Sequence, residues 1–379
     1  MKTKDKRQKI KDKMKKILRI TSLISGSILI LLVILLITVL INSPGKADPF
    51  LDKDGKKIPG SISVIETVKI NGFYQSMIIR GSDSTKPVLL YLHGGPGDPE
   101  FPFVKQYNPG IEDMFLVCYW DQRGAGLSYS KNIPPETMNL SQFVDDAGKV
   151  SEYLIHKYNR KKIFLLGHSW GTMLGSFTIN KFPEYYYAFI SVGQVGDQVR
   201  SENISYNFVL SKAKELKDRK AIRALEKIGP PPYSDPKEAI DKMHIERKYV
   251  IKYGGAVKKG NLYQEALKPL ALCKEYTFRD KINYLKGMKI TKEYLWDVIM
   301  KTNLFKAMPS QQIPVYILQG ISDHQTSFSV AKEYFDSLQA PLKRFYTFEN
   351  SAHSPIFEEP DKFRSILKEI LSEQQKDGK

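Results

Sequence analysis

Residues 163–175, IFLLGHSWGTMLG, constrain this chain more than any other stretch. Ile163 to Leu166 is a short apolar run suited to a buried strand, and Trp170 to Lys181 suits a helix. Between them, Gly167-His168-Ser169-Trp170-Gly171 reads G-x-S-x-G. Strand, sharp turn, serine and helix is the context of a nucleophile elbow. There the serine sits in a strained backbone conformation, and a side chain two positions to either side would collide. The five-residue pattern also arises by chance on ordinary strand-to-helix turns. The rest of the chain must therefore supply a base, an acid and an oxyanion site.

The surrounding pattern fits such a fold. SVIETVKI and FYQSMIIRG alternate like strands around Asn71-Gly72, a strong hairpin signal. PVLLYLH (87–93) and MFLVCYW (114–120) are solid apolar runs, a helical pattern covers 141–158, and AFISVGQ (188–194) follows the elbow helix. Strands alternating with helices imply a mostly parallel sheet with both faces covered. The alternation stops over 197–310, which reads as helices without a comparable strand run. It resumes with IPVYILQG (313–320), a helix near 327–338, KRFYTFEN (343–350) and a C-terminal helix from Asp361. The expected architecture is an α/β-hydrolase fold, with core 62–196 and 311–379 and a helical cap over 197–310.

The 379 residues carry a net charge of +17. Residues 1–19 hold ten Lys or Arg and two Asp, and the cap region carries about +10, so the core is near neutral. Residues 20–41, ITSLISGSILILLVILLITVLI, have no charge. At 1.5 Å per residue they span a hydrocarbon layer of about 30 Å. They are apolar all round, longer than a cleavable signal core, and followed by a poor cleavage site. They are expected to form an uncleaved single-pass anchor in the cell membrane. The flanking positive charge places the tail 1–19 in the cytoplasm and the catalytic domain outside. A topology signal accounts for the tail, so no nucleic acid is expected as a partner. Residues 42–61 read as a polar linker. Cys118 and Cys273 read as two free buried thiols.

A serine hydroxyl needs a base, and the base needs an orienting carboxylate. In this architecture they follow later strands in the order Ser, acid, His. His353, in ENSAHSP, follows the last strand, and Asp323 lies three residues past the preceding one. The expected triad is Ser169, Asp323 and His353. His168 reads as packing or polarity tuning, His324 as a neighbour of the acid, and His156 and His244 as surface or interface residues. Asp336 falls in a helical pattern and is disfavoured as the acid. The oxyanion donors are expected to be the N–H of Trp170 and one N–H from His93-Gly94-Gly95-Pro96-Gly97. Gly95 is the first choice there and Gly94 the alternative.

HGGPG (93–97), DQRGAGLS (121–128) and GHSWGT (167–172), in this order, resemble the proline iminopeptidase family of α/β-hydrolases. The resemblance covers about residues 62–375 and implies a serine hydrolase that removes an N-terminal residue, often proline, from peptides. It implies no metal and no cofactor, and gives Asp121 and Arg123 a bracing role. It also implies cap-entrance carboxylates for the substrate α-amine, and the nearest match is Glu202. His168 stands where typical members have glycine, and GHSWG is shared with lipases and esterases. A carboxylesterase or lipase-like hydrolase with the same triad is the alternative. An epoxide hydrolase or dehalogenase would carry Asp at position 169, and a binding module would not need the triad. The expected partner is a peptide or a small ester or amide. The sequence sets no oligomeric state.

Overall fold

The computed structural model describes residues 2–233, 236–258 and 262–377. Eight strands form one sheet: β1 (Ile62–Ile70), β2 (Phe73–Gly81), β3 (Val88–Leu92), β4 (Leu116–Asp121), β5 (Ile163–His168), β6 (Tyr186–Val192), β7 (Val315–Gly320) and β8 (Lys343–Phe348). Their spatial order is β1-β2-β4-β3-β5-β6-β7-β8. β2 runs antiparallel to β1 and β4, and every other pair is parallel. The β1–β2 hairpin closes with Ile70 opposite Phe73. Asn71 and Gly72 take φ of 45° and 82°, the two positive values that a two-residue primed turn needs.

The helices in chain order are α1 (Lys2–Ile41), α2 (Phe101–Tyr107), α3 (Leu140–Lys157), α4 (Trp170–Lys181), α5 (Gln198–Glu215), α6 (Arg219–Ile228) and α7 (Pro236–Lys252). They continue as α8 (Leu262–Leu272), α9 (Phe278–Lys301), α10 (Leu304–Ala307), α11 (Phe328–Ser337), α12 (Pro355–Glu358) and α13 (Pro360–Asp377). Side chains alternate across the sheet, so each strand feeds two cores. Leu90 and Leu92 of β3 meet Phe143 and Val144 of α3 and Met173 and Leu174 of α4. Leu89 and Tyr91 face the other way, into a core completed by Phe363, Leu367 and Ile370 of α13. Each large apolar side chain buried this way contributes about 1.5–3 kcal/mol.

Helices α5 to α10 are inserted between β6 and β7. Part of the insertion has its own small core, with Val209 and Ala213 from α5, Leu225 from α6 and Val250 from α7. Cys118 and Cys273 are buried free thiols. Residues Lys13–Ile41 of α1 are long and apolar enough to cross a membrane, and none of that segment is buried in the protein.

The segment 42–61 differs from a simple linker, because it is docked. Lys46 N–H donates to the Lys274 carbonyl at 3.1 Å. Asp48 accepts from Lys105 Nζ at 2.8 Å, and its carbonyl takes the Arg80 guanidinium. These partners lie far away in sequence, so local composition carries no sign of them.

Candidate active site

Ser169 sits between β5 and α4 with φ 54° and ψ −119°, a conformation that L-residues other than those held in place by their surroundings avoid. The two glycines of G-x-S-x-G explain how it is held. A Cβ on Gly171 would lie 2.1 Å from the Leu92 carbonyl oxygen, and one on Gly167 would lie 2.3 Å from the Gly171 oxygen. Ser169 N–H donates to Val192 O at 2.9 Å, tying the turn to β6. The Ser169 hydroxyl makes no capping bond to α4, although serine at a helix start commonly does.

The acid and the histidine come together from the loops after β7 and β8. His353 Nδ1 lies 2.8 Å from Asp323 Oδ2. Asp323 is buried, and its other contacts are donors: Gln319 Nε2 at 2.7 Å, Thr326 Oγ1 at 2.9 Å, and the N–H groups of Gln325 at 2.8 Å and Thr326 at 3.0 Å. Burial works to raise its pKa, but the His353 charge and these hydrogen bonds outweigh burial and lower it to about 2. An ionised carboxylate facing Nδ1 holds the proton there and leaves Nε2 as the acceptor. A Cβ on Gly193, just after β6, would sit 3.1 Å from His353 Cε1, so the ring lies against the strand end beside Ser169. The insertion reaches both loops. The N–H groups of His324 and His353 donate to Gly255 O at 2.9 Å and Ala256 O at 3.1 Å.

His324 stands outside this arrangement. Its ring stacks on Phe208 with centroids 3.7 Å apart, and burial lowers its pKa. Asp336 lies on α11 in an ion pair with Lys332 at 2.5 Å.

The loop 93–98 approaches Ser169 closely, since a Cβ on Gly94 would be 3.1 Å from Ser169 Cβ. Gly94 N–H is already given to Glu100 Oε1 at 3.3 Å, which counts against it as an oxyanion donor. Glu100 also accepts from Tyr91 Oη at 2.7 Å and meets His168 Nδ1 at 2.6 Å. His168 Nε2 is 3.0 Å from the His353 carbonyl, and the two imidazoles lie 5.0 Å apart. Burial disfavours both charges. The attraction between Glu100 and His168 nevertheless lowers the carboxyl pKa and raises that of the imidazole. His168 is thus a strut under His353. Glu100 had no sequence signal, because its partner is remote in the chain.

The three glycine-bearing motifs are hydrogen-bonded to one another. Gln122 N–H donates to His93 Nε2 at 3.1 Å, and Gln122 Oε1 accepts from Trp170 Nε1 at 3.0 Å. Asp121 accepts from Leu127 N–H at 2.7 Å and Tyr276 Oη at 2.8 Å, while burial raises its pKa to about 7. Arg123 pairs with Asp146 through contacts of 2.7 and 3.0 Å. Both residues brace the loops rather than face the serine.

Glu202, on α5, is buried and paired with Arg247 of α7. Gln198 Nε2 bridges Glu202 Oε1 at 2.6 Å and the Gln325 carbonyl at 2.9 Å, so Glu202 lies two hydrogen bonds from the acid loop. Glu246, on α7, is a second carboxylate there, and nothing in the sequence sets it apart from the other charged residues of that helix. It is fully buried, 3.5 Å from Arg247 Nη1, and its Oε2 has no hydrogen-bond partner. Burial first, and the Glu202 charge second, raise its pKa to about 7 against the pull of Arg247. Among the described residues, no His, Cys, Asp and Glu cluster suited to a metal ion occurs.

Comparison with known proteins agrees with this architecture. The family described as "Serine aminopeptidase, S33" matches residues 112–360. The chain is 32% identical over 310 residues to the probable aminopeptidase YbaC of Bacillus subtilis, covering 81% of this chain and 96% of that one. It is 27% identical to the proline iminopeptidase of Saccharolobus solfataricus, covering 83% and 94%. The crystal structure of the Mycobacterium smegmatis proline iminopeptidase superposes with a TM-score of 0.61 at 17% identity, covering 83% of this chain and all of that one, which establishes a shared fold. The chain belongs to the serine aminopeptidase family of α/β-hydrolases.

Proposed function

We propose that this protein is a membrane-anchored serine aminopeptidase that releases N-terminal residues, with proline among the candidates, from peptides. Ser169 is the nucleophile, His353 the base, Asp323 the orienting acid, and the N–H groups of Trp170 and Gly95 the oxyanion donors. Residues 197–310 form a cap over a core of 62–196 and 311–379. Helix α1 spans the cell membrane once, with residues 1–19 in the cytoplasm and the catalytic domain outside.

In this reading Ser169 Oγ attacks the scissile carbonyl while His353 Nε2 takes its proton. The tetrahedral oxyanion is held by the two backbone donors. His353 returns the proton to the leaving amine, and the acyl-enzyme forms. Water then attacks the ester, with His353 again as base, and the free amino acid departs.

The observation that carries the peptidase reading is the buried carboxylate pair in the insertion. Glu202 and Glu246 share one cation, Arg247, and one oxygen of Glu246 has no partner. Such an arrangement favours a second cation, because an unpaired buried charge is strongly unfavourable. A substrate α-ammonium supplies that charge and three donors. The Arg247–Glu202 pair also supports the esterase reading, since one carboxylate is neutralised without substrate.

Glu246 supplies the test. Below its pKa of about 7 it is neutral, and above it is charged, while an α-amine stays protonated up to about pH 8. The ratio of kcat/KM for a free-amine amide to that for a neutral ester is therefore expected to rise roughly fivefold to tenfold from about pH 6 to 7.5. The ratio cancels the ionisation of the shared triad. Glu246→Gln is expected to flatten the ratio. A profile that Glu246→Gln leaves unchanged would remove Glu246 from the amine site.

A further inference from the structure

Helix α9 has two faces with different occupants. Its inner face buries Tyr284, Gly287 and Thr291. Phe278, Ile282 and Leu285, spaced four and three apart, lie on the opposite face and are exposed. Leu267 within α8 and Leu272 at its end are exposed as well. Among the described residues, five of the eleven exposed large apolar side chains outside α1 therefore fall between positions 267 and 285, on two helices joined where Lys281 Nζ meets the Ala271 carbonyl at 2.8 Å. Lys268, Arg279 and Lys286 are exposed in and just beyond this stretch, as are Lys274 and Lys289, which pair with Asp48 at 3.6 Å and Glu293 at 3.9 Å. The acid in the first turn of α9, Asp280, is occupied by the Thr277 capping box.

This patch adjoins the end of the apolar helix. Lys281 Nζ donates to the Asn42 carbonyl at 2.6 Å, to Ser43 Oγ at 2.9 Å and to the Ala271 carbonyl at 2.8 Å. Asn42 is the first residue beyond α1. Gly45 packs on Thr277, where an added Cβ would meet Thr277 Cγ2 at 2.6 Å. The chain leaving α1 thus runs along the turn joining α8 to α9. From Phe278 to Leu285 is about 10 Å along the helix axis, two turns of one face that can lie along a leaflet surface.

We propose that the outer face of α8 and the first turns of α9 rests on an anionic phospholipid leaflet, the one from which α1 emerges. The inference rests on α1 being a membrane anchor. The apolar side chains enter the headgroup boundary and the flanking Lys and Arg side chains meet lipid phosphates. The contact is mechanically close to the chemistry. Thr291 of the same helix packs on Gly97, where an added Cβ would lie 2.8 Å from Thr291 Cβ, and Lys292 pairs with Asp98 at 3.3 Å. Membrane contact therefore fixes the loop 93–98 at a set height above the leaflet.

The test uses the full chain in lipid discs, with a fluorophore on a single introduced cysteine and spin-labelled lipid as quencher. Cys118 and Cys273 are buried and do not compete for the label. Probes are placed by Leu31→Cys in α1, Leu285→Cys in the patch and Tyr74→Cys as control. Tyr74 is exposed and lies about 20 Å along β2 from Arg80, the residue that touches the docked segment. In discs containing phosphatidylglycerol, the Leu285 probe is expected to be quenched at least about threefold more than the Tyr74 probe, and much less so in phosphatidylcholine alone. Quenching at Leu31 with none above control at Leu285 overturns the docking surface and leaves the anchor standing. No quenching at Leu31 overturns the anchor and this proposal with it. Equal quenching at Leu285 in both lipids overturns the anionic assignment.

Discussion

Ser169→Ala is expected to lower kcat about 10⁶-fold, close to 8 kcal/mol of transition-state stabilisation, with folding unchanged. The size follows from the loss of the covalent route. Alanine has no oxygen to attack the substrate carbonyl, and the oxyanion donors alone sustain only a small residual rate. The unchanged stability follows from the local structure. The hydroxyl makes no capping bond to α4. Serine and alanine both carry a Cβ, so the strain at φ 54° is common to the two. Steady-state turnover with single-turnover acylation, beside thermal unfolding, checks both halves. A variant that stays folded and retains more than a few per cent of activity would exclude Ser169 as the nucleophile.

Asp323→Asn carries the second-largest effect, a fall in kcat of about 10⁴-fold. The two N–H groups of Gln325 and Thr326 fix one side-chain oxygen in place, so the new amide nitrogen takes the position of Oδ2. That nitrogen then donates toward His353 Nδ1, which must become an acceptor. The imidazole proton moves to Nε2, and the base that Ser169 needs is lost. The same nitrogen faces Gln319 Nε2, a donor 2.7 Å from Oδ2, so a stability loss of about 1–3 kcal/mol accompanies the kinetic effect. Asp336→Asn, on an exposed ion pair with Lys332, is the matched control and is expected to change neither property. Because the Asp323 pKa is lowered to about 2, the carboxylate stays ionised through neutral and mildly acidic pH. Its contribution to stability is present above the ordinary value of 3.8 and is lost as pH falls through about 2. Any loss of activity near neutrality therefore arises elsewhere.

Much of the proposed site is readable in the chain because this architecture places loops at strand ends. The elbow needs glycine where Leu92 and the start of α4 crowd the turn, so G-x-S-x-G marks the place. Asp323 and His353 follow β7 and β8 directly, and their distances from those strands are short enough to count along the sequence. Nothing in the spacing of the glycines shows that the Glu100 side chain takes the Gly94 N–H, a contact that bears on the choice between Gly94 and Gly95. The second carboxylate was hidden for a different reason. Glu246 sits on α7 among many charged helical residues, and only the packing of α7 against α5 brings it to Arg247 and Glu202. Glu202 itself reads equally well as a solvated helix residue until that packing buries it. The docked segment after α1 is the same kind of case, since Lys46 and Asp48 find their partners at Lys274 and Lys105.

In the proposed reading this serine hydrolase acts on substrates with a free α-amine. The most direct measurement is a substrate panel with the 379-residue chain, and Ser169→Ala as control. Prolyl and other aminoacyl anilides are compared with their N-blocked forms and with short-chain esters. Cleavage of the free-amine anilides is expected, with little or none of the blocked ones and loss of all turnover in the alanine variant. Ester cleavage without any amide cleavage would instead make the protein a carboxylesterase whose Glu202–Arg247 pair is structural.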